Sequence, residues 1–140
     1  MPPTVFPAAN TNDGSGIDTQ MFLFDATGKG VMFNDDTLTS GGSYSTINNT
    51  GGQITTAGKY YLAVDRYNID PQDASNALLW LNSPFTGIRV PDGAGAANPV
   101  VSWTGTGTSG GSYTINLTGV CYPVRACNLA DITEIGGTAE

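Results

Sequence analysis

Five acidic side chains surround one predicted β-hairpin near the start of the chain: Asp13, Asp18, Asp25, Asp35 and Asp36. Carboxylates that cluster in space repel one another and destabilise a fold unless a cation or hydrogen-bond donors neutralise them. The whole chain has 5 Lys and Arg against 12 Asp and Glu, and the basic residue of this stretch, Lys29, falls in the turn. A bound hard cation is therefore expected, and Ca²⁺ is the simplest choice.

The expected Ca²⁺ ligands are oxygen-bearing side chains of the hairpin and of one neighbouring strand: Asp18, Asp25, Asn34, Asp35, Asp36 and Asp65. Asp65 is included because its strand could lie beside the first strand of the hairpin. The turn DATGKG is not an EF-hand loop, since it lacks that motif's acidic third and fifth positions. The same carboxylates could instead cap turns and strand ends by accepting backbone N–H bonds. The sequence leaves both interpretations open.

The composition excludes several partners. A net charge of −7 disfavours nucleic acid and anionic membrane surfaces, because both bind basic protein surfaces. No apolar run approaches the ~20 residues of a membrane span, so membrane insertion is not expected.

Enzymatic activity is not expected either. The chain has no His, which excludes Ser-His-Asp and Cys-His mechanisms. Paired carboxylates can cleave glycosidic bonds, but the acid needs an apolar wall to raise its pKa. The Asp residues of this chain fall in Gly-rich turns instead.

Short strands separated by turn signals dominate the pattern. Residues 18–24 carry four consecutive apolar residues, as in a strand that is covered on both faces. Residues 59–67 alternate, with Tyr60, Leu62 and Val64 on one face. Further strands are predicted at 77–82, 100–103 and 110–119, and a loop at 68–75. These features predict an all-β fold, an antiparallel β-sandwich of jelly-roll type.

The chain divides into three predicted parts. Residues 1–17 are expected to form an irregular N-terminal arm, residues 18–120 the β-sandwich, and residues 121–140 a C-terminal tail. Cys121 and Cys127 are expected to form a local disulfide in that tail if the protein is exported. Two free thiols in a reducing compartment are the alternative.

Three segments, DTQMFLFDATGKGVMFNDD, AGKYYLAVDRYNIDP and GGSYTINLTG, resemble in this order a family of bacterial extracellular β-sandwich domains. That family is related to the pre-peptidase C-terminal domain. Its members usually carry additional strands before the first of these segments, which leaves open a missing first strand here. The resemblance implies a non-catalytic, exported module and names no ligand.

The leading hypothesis is a calcium-stabilised structural or adhesive module of a secreted or cell-surface protein. A second hypothesis is a filament subunit that binds copies of itself, because a sandwich short of one strand exposes an edge that a neighbour can complete. A third is carbohydrate binding, with cell-surface glycans as partners. Its candidate platform is the set of aromatic residues Tyr44, Tyr60, Tyr61, Tyr67, Trp80 and Trp103.

Overall fold

The computed structural model describes residues 7–37, 43–107 and 110–120. Its strands are β1 (Ala8–Asn10), β2 (Thr19–Asp25), β3 (Gly30–Asn34), β4 (Thr46–Asn48), β5 (Tyr60–Arg66), β6 (Ile69–Gln72), β7 (Ser102–Gly105) and β8 (Asn116–Thr118). A 3-10 turn, Asn49–Gly51, follows β4. The predicted all-β antiparallel sandwich is confirmed. The jelly-roll order of its strands and the missing first strand stay predictions.

The strands form three antiparallel sheets. The central sheet has the order β3-β2-β5, the second sheet β4-β1-β8, and β6 pairs with β7 in the third. Strand β2 pairs along its full length with β5, from Thr19 opposite Arg66 to Asp25 opposite Tyr60. It also pairs with β3, from Met21 opposite Asn34. Strand β2 therefore organises the fold.

Strand β2 is buried on both faces, as its run of apolar residues predicts. Successive side chains of a strand point to opposite faces, so one strand can serve two cores. Met21 and Leu23 pack in a first core with residues of the second sheet, including Ile47. Phe22 and Phe24 pack in a second core on the opposite face. The predicted alternation of β5 is confirmed as well, since its partly buried residues Tyr60, Leu62 and Val64 all pack against the first core.

The second core is aromatic. The Phe22 ring stacks on Phe33 with ring centroids 4.8 Å apart, and Trp80 lies 5.6 Å from it at a tilt. Trp103 of β7 meets Phe22 edge-on at 5.4 Å. Offset and edge-to-face pairs of this kind add to the hydrophobic contribution of aromatic burial.

Strand β1 differs from the prediction, because it lies within residues 1–17, where the sequence predicts an irregular arm. Ala9 is buried between Ile47 of β4 and Leu117 of β8, its neighbours in register. A three-residue strand of two alanines and one asparagine has no periodic signal of its own. Its conformation depends on pairing with two distant strands.

Two further elements differ from the predictions. Strand β6 lies where a loop is expected, and Pro71 within it occupies a sheet of only two strands, where a missing N–H is tolerated. Residues 77–82 are not a strand. Leu79 and Trp80 are nevertheless buried, because the loop that carries them covers the aromatic core. Short apolar runs do not distinguish a strand from a buried loop.

Cys121 and Cys127, with the rest of the predicted tail 121–140, lie outside the described residues, so their disulfide stays a prediction. Within the described part of the chain, no helix has the length and apolar character that a membrane crossing requires.

We expect Phe22→Ala to lower the free energy of unfolding by about 3–5 kcal/mol, because it leaves a cavity among stacked rings. Phe22 is fully buried, whereas Leu81 is 50% exposed. Leu81→Ala is therefore the control and should change stability by less than about 0.5 kcal/mol. Urea unfolding followed by Trp fluorescence measures both values. Equal losses for the two variants would contradict the placement of the aromatic core.

Candidate metal centre

Three of the predicted ligands meet at one end of the central sheet. In the antiparallel pair β2–β3, Met21 lies opposite Asn34, so the residues before β2 and the residues after β3 lie at the same end of the sheet. There the structure brings together Asp18, Asp35 and Asp36, whose carboxylate oxygens lie within 4.8 Å of one another. This acidic triad could hold a metal ion.

Asn34 forms hydrogen bonds with the main chain around the triad. Its Nδ2 donates hydrogen bonds to the main-chain oxygens of Asp36, at 2.9 Å, and Gly87, at 3.0 Å. Its Oδ1 accepts one from the main-chain N–H of Thr46 at 2.7 Å. The N–H of Asp36 donates to the main-chain oxygen of Phe85 at 3.1 Å. Asn34 therefore lies beside the triad, and its amide is occupied in joining β3, β4 and the loop at 85–87.

Asp35 is the buried member of the triad. Its residue is 4% exposed, and its Oδ1 is enclosed without accepting a hydrogen bond from any described residue. Buried polar atoms in folded proteins almost always have a partner, because an unpaired one loses its hydration without replacement. An enclosed carboxylate oxygen without a donor is therefore an atom that a cation could bind.

The charge of Asp35 is strongly disfavoured. The pKa of Asp35 is raised to about 7, first by burial and then by the neighbouring carboxylates of Asp36, Asp18 and Asp70. A hydrogen bond from Gln20 acts against this shift. Burial also raises the pKa of Asp18, and burial together with Asp18 raises the pKa of Asp36. The three groups are thus poised to lose negative charge unless a cation balances it.

Asp70 is a fourth carboxylate near this group, although the sequence gives it only as a residue of the 68–75 loop. It is buried, and burial raises its pKa. Gln20 connects it to β2, because Gln20 Nε2 donates to Asp70 Oδ1 at 3.5 Å and Gln20 Oε1 accepts from the N–H of Ile69 at 3.0 Å. The signal that could have found Asp70 is Gln20 itself. A polar residue in a strand buried on both faces needs polar partners nearby.

The structure does not bring Asp25 to the triad. Asp25 ends β2 at the opposite edge of the sheet, where its Oδ1 accepts hydrogen bonds from Thr27 N–H, Thr27 Oγ1 and Lys29 N–H at 2.8, 2.7 and 3.1 Å. These hydrogen bonds, that of the Thr27 hydroxyl foremost, hold the pKa of Asp25 below its usual value. Asp25 thus follows the alternative interpretation, a turn cap.

Asp65 lies on β5 opposite Gln20. Its Oδ1 accepts a hydrogen bond from the N–H of Arg66 at 2.8 Å. It is not among the carboxylates that converge at the triad. Of the two acidic residues near β5 and β6, it is Asp70 whose charge acts on Asp35.

No protein-family model, curated protein or solved structure matches this chain. The relation to bacterial extracellular domains of the pre-peptidase C-terminal type therefore stays a prediction from the three segments that carry it. The site has to be interpreted from its own geometry.

In the absence of divalent cations, we expect the free energy of unfolding to fall as the pH rises from about 4 to 7. The pKa of Asp35 is about 7 in the folded state and 3.8 in the unfolded chain. Between these two pH values, the folded state therefore keeps a proton that the unfolded state has released. A shift of this size corresponds to a loss on the order of 4 kcal/mol. Urea unfolding at several pH values in chelator measures the slope.

Asp35→Asn should flatten this slope, because the amide cannot ionise. Asp25→Asn is the control with the opposite sign. The pKa of Asp25 is lowered on folding, so its ionised form stabilises the protein above pH ~4, and that contribution disappears as the pH falls. A wild-type stability that rises steadily from pH 4 to 7 in chelator would contradict the burial of Asp35.

Proposed function

We propose that this protein is a non-catalytic β-sandwich module whose fold is stabilised by Ca²⁺ bound to Asp18, Asp35 and Asp36. The observation that carries the proposal is the enclosed Oδ1 of Asp35, which lacks a hydrogen-bond donor among the described residues and belongs to a converging group of carboxylates. A Ca²⁺ ion at this position would supply the missing partner and offset two of the triad's three negative charges.

The ligand chemistry of the triad favours Ca²⁺ over Mg²⁺. Its carboxylate oxygens lie within 4.8 Å of one another, close enough to share one Ca²⁺ at Ca–O distances of about 2.3–2.6 Å. Ca²⁺ accepts six to eight oxygens in flexible geometry, whereas Mg²⁺ demands near-ideal octahedral geometry and dehydrates reluctantly. Water and main-chain oxygens would complete the coordination.

The surroundings of the site support a structural role. Asp35 has the raised pKa that a general acid needs, but with 4% of its surface exposed it cannot reach a polysaccharide chain. The triad joins the start of β2 to the end of β3, and Asn34 ties the same corner to β4 of the second sheet. A cation there would hold the ends of β2 and β3 together, at the corner where Asn34 connects the central sheet to the second sheet.

Weak calcium sites of extracellular modules bind in the range of about 10⁻⁴ to 10⁻³ M. A cell-surface or secreted location would keep such a site filled, and the proposed adhesive or structural role belongs to that location. Self-association through an exposed strand edge and glycan binding stay predictions. For glycan binding, Trp80 is buried in the aromatic core, whereas Tyr61 and Trp103 are 46% and 40% exposed.

Ca²⁺ should raise the melting temperature of the wild-type protein at pH 7. A ligand that binds only the native state adds ~2.7 kcal/mol at a hundredfold excess over its Kd. For a chain of 140 residues this is a rise of roughly 10 °C. Differential scanning calorimetry in chelator and in millimolar Ca²⁺ measures it, and Mg²⁺ at the same concentration should have a smaller effect.

Asp35→Asn and Asp36→Asn should abolish the response to Ca²⁺. Asp25→Asn, which makes the same change of charge at the other end of β2, should keep it. Asp35→Asn should also melt at a higher temperature than the wild type in chelator and at a lower one in Ca²⁺. An unchanged melting temperature of the wild type across millimolar Ca²⁺ would overturn the proposal.

A further inference from the structure

Gln20 is a buried polar residue of β2, the strand whose two faces are covered by apolar cores. It is 2% exposed, and its side chain points to the same face as that of Phe22, two residues further on. Trp103 of β7 contacts Phe22 on that face, and β7 pairs with β6. A buried carboxamide needs hydrogen-bond partners, and those of Gln20 lie on β6 and at the acidic triad.

The main chain of β6 fixes the orientation of the Gln20 carboxamide. Its Oε1 accepts a hydrogen bond from the N–H of Ile69 at 3.0 Å. A carboxamide has one acceptor end and one donor end, and a main-chain N–H can only donate, so the acceptor end has to face Ile69. The donor end, Nε2, is therefore turned to the two buried carboxylates, Asp70 and Asp35.

The Nε2 group of Gln20 is shared between these two carboxylates. It donates to Asp70 Oδ1 at 3.5 Å, which is longer than a typical N–H···O hydrogen bond, and its hydrogen bond to Asp35 favours the ionised form of that residue. An NH₂ group has two N–H bonds, one for each carboxylate. Asp35 Oδ1 still has no donor among the described residues. Gln20 thus contacts Asp35 and leaves this oxygen to the proposed cation.

We infer that Gln20 is a positioning residue of the cation site, which orients the Asp35 carboxylate so that its Oδ1 points to the cation. Asp70 is the anchor that holds the donor end of Gln20 from β6. The inference rests on the proposed Ca²⁺ site and adds β6 to the elements that support it. Hydrogen-bond partners of metal ligands fix the orientation of those ligands, and their loss typically weakens metal binding by about 10–100-fold.

A purely structural role for Gln20 makes a different prediction. An amide that served only to pair the N–H of Ile69 would stabilise the fold, and its loss would lower the melting temperature in chelator. It would leave the Ca²⁺ affinity of the folded protein unchanged. The Kd of the folded state therefore separates the two roles, and titration of the full chain with Ca²⁺, followed by amide NMR resonances, reports folding and Kd together.

Gln20→Met should raise the Kd for Ca²⁺ by at least about tenfold, because methionine fills the space of the glutamine without a donor for Asp35. Gln72→Met is the matched control. Gln72 lies on β6, and its Nε2 donates to the main-chain oxygen of Asn76 at 2.7 Å, so this variant also removes a carboxamide that holds the main chain. Its Kd should equal that of the wild type.

Two substitutions of Asp70 give a second test, which does not depend on the folding of the Gln20 variant. Asp70→Asn and Asp70→Ala remove the same charge, but asparagine keeps an oxygen that can accept from Gln20 Nε2. Asp70→Ala should therefore have a Kd at least about threefold higher than that of Asp70→Asn, because only alanine releases the amide. Without a positioning role, the two variants would bind Ca²⁺ equally.

The possible failures are distinguishable. A wild-type Kd in Gln20→Met, with binding abolished in Asp35→Asn, would overturn the role of Gln20 and leave the Ca²⁺ site in place. Equal Kd values for the two Asp70 variants would overturn the anchoring role of Asp70. Resonances of the wild-type protein that do not move in millimolar Ca²⁺ would overturn the Ca²⁺ site and this inference with it.

Discussion

The fold depends on the hydrogen-bonded pairing of β2 with a strand on each side while apolar side chains cover both of its faces. The pairing satisfies the backbone of a segment that has no access to water. Burial on both faces joins the first core, shared with the second sheet, to the aromatic core beneath the 77–101 loop. The other strands are short, and their positions follow from the surface that β2 offers them.

The same pairing creates the electrostatic problem at one end of the sheet. An antiparallel register places the residue before one strand beside the residues after the next, and here all of these positions carry Asp. Coulomb repulsion and burial act together on Asp35, which is why its pKa shift is larger than those of its two more exposed neighbours. At the other end of β2, Asp25 is surrounded by N–H and O–H donors, and its pKa moves in the opposite direction. The presence or absence of nearby hydrogen-bond donors distinguishes the turn cap Asp25 from Asp35, the candidate cation ligand.

Much of the central sheet could be predicted from the sequence. Four apolar residues in a row, a Gly-containing turn and the alternation of residues 59–67 are strong local signals, and they correspond to β2, β3 and β5. Strands β1 and β6 could not be predicted, since Ala8–Asn10 and Ile69–Gln72 depend on partners that are distant in sequence. The same limit applies to Asp70. Its approach to Asp35 depends on the course of the chain after β5, whereas Asp18, Asp35 and Asp36 are related by one hairpin.

The acidic triad and the second sheet also differ in the sequence separation of the residues that they bring together. Asp18, Asp35 and Asp36 converge once a single hairpin has formed, which is a local event with a small loss of chain entropy. The second sheet instead joins the two ends of the described chain: Asn116 Nδ2 donates to Asn10 Oδ1 across a separation of 106 residues. During synthesis on the ribosome, the acidic hairpin emerges long before β8. The hairpin that carries the triad can therefore form while the last strand is still being translated.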